Sequence, residues 1–231
     1  MIASFLEYLA LERKYSKHTI AAYKNDLISF KDFCETEYNQ EDLATIHYNQ
    51  IRTWIVQLVN QQNSNRTINR KISSLKTFYK FLQKIEVIKV TPLSKHKALK
   101  VQKKIQVPFT KEEINLVVDN IKEENEFTFL RNKLIVELFY STGIRRIELI
   151  NIKERDINFY DKTCKVLGKR NKERIVPLLP SVVETLNKYL KEKKNYTSNV
   201  SELFITEKGN KIYETLVYRI INSYFSQVSS K

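Results

Sequence analysis

Along the first third of the chain, apolar residues recur at three- and four-residue intervals, the spacing of one helical face. Ile20, Tyr23, Leu27, Phe30 and Cys34 mark such a face over residues 17–35, and Ser16 is placed to cap its start. Residues 1–12 predict a short apolar-rich helix before it. Residues 46–60, which hold the single tryptophan, Trp54, predict a third. The polar run Gln61-Gln62-Asn63-Ser64-Asn65 separates that helix from a fourth, over residues 65–84. At about 100° per residue, Ile68, Ile72, Leu75, Phe78, Tyr79 and Leu82 fall in one sector about 120° wide. Arg66, Arg70, Lys76, Lys80 and Lys84 fall in a second sector roughly opposite. Lys71 and Phe81 fit neither.

After Pro108 the same period continues and then changes. Thr110 and Glu113 form a capping-box pair ahead of Ile114, Leu116, Val117 and Val118. A long helix is expected over 126–140, with Leu130, Leu134, Ile135, Leu138 and Phe139 facing the core. Ser141-Thr142-Gly143 breaks it, and another helix is expected over 144–152. Three short β-forming runs follow, at 157–160, 163–167 and 174–178, joined by turns at 160–162 and 168–171 into an antiparallel meander. Helices resume over 180–191 and 212–228, with Leu203-Phe204-Ile205 as a short apolar piece between them. The pattern predicts a mainly α chain with one small antiparallel β-sheet. Its expected parts are a helical domain over 1–85, a basic linker over 86–107 and a second domain over 108–231.

Charge sharpens this picture. The 231 residues hold 40 Lys and Arg against 26 Asp and Glu, a formal net charge of +14. A surplus of that size favours a polyanionic partner. The second sector of the fourth helix is cationic throughout, with no acid between Asn65 and Lys84, whereas a merely solvated face ordinarily mixes both signs. Lys17, Lys24 and Lys31 recur on one face of the second helix. Between residues 84 and 107 seven lysines stand against one acid, Glu86. The cationic helix faces lie opposite a packing stripe, which argues against a membrane-surface helix, and no apolar run approaches the ~18 residues of a bilayer span. The start of the chain shows no secretory pattern. With Cys34 and Cys164 as the only cysteines, reduced thiols in a cytoplasmic protein are expected.

Metal and nucleotide signatures are absent from the pattern. His18, His47 and His96 lack ligand spacing, and three glycines cannot build a phosphate loop. Neither a metal nor a small-molecule cofactor is expected. Two other segments carry chemistry. In Ser141-Thr142-Gly143-Ile144-Arg145-Arg146-Ile147-Glu148-Leu149, a glycine-marked break brings Arg145 to the start of a helix, where its planar fork can hold two phosphate oxygens. Glu148 stands three residues on and can orient it. In Val166-Leu167-Gly168-Lys169-Arg170-Asn171-Lys172-Glu173-Arg174-Ile175-Val176-Pro177-Leu178, a hairpin tip presents Lys169, whose ammonium can protonate a departing alkoxide.

Together these segments resemble the tyrosine recombinases, the phage-integrase and Xer-type family. Its members carry Ala/Ser-Thr-Gly-Leu/Ile-Arg-x-x-Glu-Leu and then a hairpin of the form Val-x-Gly-Lys-Gly-x-Lys-x-Arg-x-Val-Pro-Leu. Arg170, where glycine is usual, is the departure. Phe5-Leu6 through Glu12, Ser16 to Ile20 and Tyr23-Lys24-Asn25-Asp26-Leu27 are similar to the family's SAM-like core-binding domain. The resemblance implies that Arg145 holds the scissile phosphate, Lys169 protonates the leaving 5′-oxygen and Glu148 supports them. It implies that double-stranded DNA and other recombinase protomers are partners, and that strand exchange passes through a phosphotyrosyl link without ATP or metal. DNA contacts are expected from Lys17, Lys24, Lys31, Arg66, Arg70, Lys76 and Lys80.

The family also places a His-x-x-Arg, a further His or Trp and the nucleophilic tyrosine after the meander. No histidine follows His96, and Tyr213, Tyr218 and Tyr224 are expected to be packing or surface residues. The sequence therefore reads as a C-terminally incomplete catalytic domain that binds DNA without cutting it. A non-catalytic DNA-binding regulator derived from a recombinase is the alternative, and an RNA-binding module is a further one that only the charge suggests.

Overall fold

The structure, a computed structural model, describes residues 1–103, 107–168, 172–197 and 199–226. The chain divides into two compact units, Met1–Ile105 and Gln106–Lys231.

The first unit is built from α1 (Ile2–Leu11), α2 (Lys17–Tyr38), α3 (Tyr48–Asn60) and α4 (Asn65–Lys84). Ser16 and Ser64 cap α2 and α4 as serine side chains do, each accepting the N–H three residues on at 3.2 Å. α2 runs past the expected residue 35 until Asn39 takes the left-handed conformation and closes it. Phe5, Leu27, Phe30, Ile51, Trp54, Ile68, Leu75, Phe78 and Tyr79 are buried together. Phe81, off the predicted stripe, is buried too, because α1 covers a second side of α4: Phe5 and Tyr8 lie 5.5 and 5.0 Å from its ring.

The basic stretch expected to be a linker packs on this unit instead. Leu93 is buried, Asn69 exchanges hydrogen bonds of 2.8 and 2.9 Å with the backbone of Leu99, and Asn65 donates to the Lys100 carbonyl. Two asparagines on α4 thus satisfy polar backbone groups of this stretch.

The second unit contains α5 (Lys111–Asp119), α6 (Glu126–Thr142), α7 (Arg146–Asn151), α8 (Pro180–Lys193) and α9 (Glu214–Phe225). Between α7 and α8 lies the meander of β1 (Ile157–Asn158), β2 (Thr163–Leu167) and β3 (Glu173–Pro177), antiparallel in that order. The Thr110–Glu113 capping box forms in both directions, at 3.2 and 2.8 Å. β1 is shorter than expected because Phe159 and Tyr160 turn outward, the latter 94% exposed. Leu203, Phe204 and Ile205 are buried in the core, where the α8 residue Lys193 donates to Glu154 and to the carbonyls of Glu202 and Leu203. Cys34 and Cys164 are free and buried, each thiol pushed up to about 12 by that burial. The fold is the mainly helical one with a small antiparallel sheet that the pattern predicts. Among the described residues no helix is long and apolar enough to cross a membrane.

Candidate active site

The second unit carries a buried carboxylate that holds two arginines. Gly143 closes α6 at φ +59°, a left-handed turn that favours glycine. Ile144 then buries its side chain, so the chain stays extended through Arg145 and α7 begins only at Arg146. Arg145 is therefore the residue before the helix and not a member of its first turn, as the sequence had led us to expect. α7 is six residues long, so its dipole adds little. What fixes Arg145 is Glu148. Its Oε2 accepts the Arg145 backbone N–H at 2.8 Å, and its Oε1 accepts Arg145 Nη1 at 2.8 Å.

Arg174 arrives from β3. Strand alternation puts it on the same side as buried Val176, and in register it lies opposite buried Val166. A charged side chain aimed inward needs a partner. Arg174 finds it in Glu148, donating Nη1 to Oε1 at 2.9 Å and Nη2 to Oε2 at 2.7 Å. The hydrogen bonds from Arg174, with those from Arg145, hold the Glu148 carboxyl down at about 2, against a burial that pushes it the other way. Glu148 in turn raises the Arg174 pKa. The Glu148 side chain is 1% exposed, while those of Arg145 and Arg174 are 66% and 38% exposed. One buried negative charge thus presents two positive, outward-reaching guanidiniums, a net cationic site with spare N–H donors. That is the composition of a site for a tetrahedral oxyanion.

Gly168 closes the site from the hairpin side. A β-carbon there would stand 3.2 Å from Glu148 Oε1 and 3.4 Å from Arg174 Nη1, so the bare backbone lets the turn approach the pair. Lys169, the expected proton donor, lies with Arg170 and Asn171 outside the described residues. Sequence reasoning assigned no role to Arg174 or Gly168. The signal for Arg174 was a charge at an inward position of a strand.

A family model for the phage integrase N-terminal SAM-like domain matches residues 2–85, and that of the phage integrase family matches residues 107–231. Tyrosine recombinase XerC of Staphylococcus aureus (strain MSSA476) is 35% identical over 220 residues, 95% of this chain and 73% of that protein. The chain belongs to the phage integrase family of tyrosine recombinases, enzymes of site-specific DNA recombination. Its fold is shared by the XerH site-specific recombinase bound to palindromic difH substrate, with a TM-score of 0.77 and 18% identity over 100% of this chain and 69% of that one. The Tn1549 transposon integrase in complex with transposon right end DNA superposes with a TM-score of 0.76 and 15% identity, covering 100% and 80% of the two chains.

The late tyrosines differ in their surroundings. The Tyr224 hydroxyl contacts Glu123 and Asn132, and burial together with the Glu123 hydrogen bond pushes it up to about 12. Tyr213 accepts from Arg219 at 2.9 Å, and Tyr218 is exposed. In the first unit Lys17, Lys24, Arg66 and Lys80 are exposed and Lys76 is half-buried. Two residues of the expected cationic set are already paired. Lys31 bonds Glu35 at 2.8 Å, one turn on. Arg70 makes a two-pronged bond to Asp26, a carboxylate to which the sequence reading gave no role of its own.

Proposed function

We propose that residues 1–231 form the DNA-gripping and phosphate-holding part of a site-specific tyrosine recombinase. They bind double-stranded DNA alongside other recombinase protomers, and they do not cleave it unaided. The observation that carries this is the buried Glu148 carboxylate presenting Arg145 and Arg174 as a fixed pair. Two anchored guanidiniums can hold the nonbridging oxygens of a phosphodiester and stabilise the charge that grows on them during transfer. Their geometry exists before substrate arrives, so little reorganisation is left for the reaction. Lys169, by the family's pattern, would protonate the leaving 5′-oxygen. The cationic face of α4 and the lysines of α2 would supply sequence-independent contacts to the backbone.

The second half of the family's chemistry has no counterpart in these residues. No histidine follows His96, and Tyr224, the last tyrosine, is engaged by Glu123. A nicked suicide duplex carrying the cognate recombination site tests the proposal. Retarded but non-covalent complexes are expected. A covalent protein–DNA adduct that survives denaturation would overturn the claim that these residues do not cleave.

A further inference from the structure

We infer that Asp26 is a positioning residue for DNA binding: buried between α2 and α4, it holds Arg70 and Lys71 in the conformation that meets a phosphate. The inference rests on the DNA-binding reading above and extends it to a residue that cannot itself touch DNA.

The Asp26 side chain is 3% exposed. Its Oδ2 accepts Arg70 Nη1 at 2.5 Å and its Oδ1 accepts Arg70 Nη2 at 2.9 Å. Lys71 Nζ stands 3.4 Å from the same Oδ1 and 5.8 Å from the centroid of the Trp54 ring. The Arg70 side chain is 47% exposed and that of Lys71 is 17% exposed. A buried carboxylate is tolerated only when it is paired, and one cation would balance it. Here two converge, leaving a net positive group with its guanidinium at the surface. Lys71 lies outside the cationic sector of α4, which is why the helical pattern could not place it; Asp26 and Trp54 are what bring it inward.

The second unit repeats the device. There Glu148 holds Arg145 and Arg174, again with the acid buried and the bases reaching out. In each unit a carboxylate lowers the repulsion between two neighbouring cations and freezes a long side chain that otherwise loses its rotamer freedom on binding. Arg70 still has N–H donors that Asp26 does not use, so it can be anchored and contact an anion at once.

Simple charge counting predicts the opposite effect on affinity, which makes the test sharp. Asp26→Asn removes a negative charge from a DNA-binding surface, so long-range attraction alone would tighten binding or leave it unchanged. Positioning predicts about tenfold weaker binding to duplex DNA, read by fluorescence anisotropy across a range of salt, from the ordering of two freed side chains. In an Arg70→Ala/Lys71→Ala background the same substitution should change affinity less than twofold. Affinity that is equal or tighter in Asp26→Asn, with wild-type binding intact, would overturn the inference alone. Wild-type protein that shows no salt-dependent duplex binding would refute the DNA reading, and the inference would fall with it. If Asp26→Asn does not fold, the wild-type protein decides: the Arg70 side-chain Nε–H signal in NMR should shift when duplex is added, and a signal that stays fixed would refute the inference.

Discussion

Replacing Glu148 by Gln keeps the shape of the side chain and removes the charge that binds both Arg145 and Arg174. The carboxyl sits at about 2 in the folded protein against an ordinary 4.5. At 1.36 kcal/mol per unit, that difference corresponds to about 3 kcal/mol of stability from the ionised group. Arg145 and Arg174 are 66% and 38% exposed, so water screens part of the interaction, and about 1–3 kcal/mol is the expected loss at neutral pH. Because the folded value lies below the unfolded one, the contribution is complete above about pH 4.5 and fades as pH falls toward about 2. Denaturant melts followed by far-UV circular dichroism should therefore separate wild type from Glu148→Gln at pH 7, and the gap should close on acidification. Trp54, the one tryptophan, lies in the first unit, so its fluorescence follows that unit while circular dichroism follows both. Equal midpoints at pH 7, or a gap that widens toward low pH, would refute the assignment of Glu148 as an ionised anchor.

Gly168→Ala sets a methyl 3.2 Å from Glu148 Oε1 and 3.3 Å from the Lys172 carbonyl, so carboxylate or turn must move by a few tenths of an ångström. A loss of about 1 kcal/mol in thermal or denaturant unfolding is expected, and no loss would mean the turn does not rest on the anchor. Replacing Arg66, Arg70, Lys76 and Lys80 together by Ala should weaken duplex binding and lower the slope of log K against log salt by about 3 to 4. An unchanged slope would leave that face a wet surface.

The helices were legible because their signals are local. Ser16, Ser64 and the Thr110–Glu113 pair start helices where side-chain chemistry alone says they should, and α4 spans the residues its two-sided pattern marks. The meander was legible from β-formers and turns, and Arg145 and Glu148 from their spacing. The rest depends on pairings across the chain. The packing of this basic stretch on α4 was not legible, because nothing local announces that Asn69 will bond Leu99 thirty residues on. Arg174 meets Glu148, and Arg70 meets Asp26, through tertiary contacts that periodicity cannot encode. Lys71 fitted neither face of its helix, and Asp26 was visible only as part of a family-like segment. Such residues are costly to bury alone, and that cost is itself the hint that a partner waits elsewhere.

The central claim is that Arg145 and Arg174 together grip a DNA phosphate. Duplex affinity measured by anisotropy over a salt series, for wild type and for the double variant Arg145→Ala/Arg174→Ala, tests it most directly. Loss of that phosphate contact should weaken binding and reduce the salt slope by about one. A double variant that remains folded and binds with the wild-type affinity and slope would contradict it.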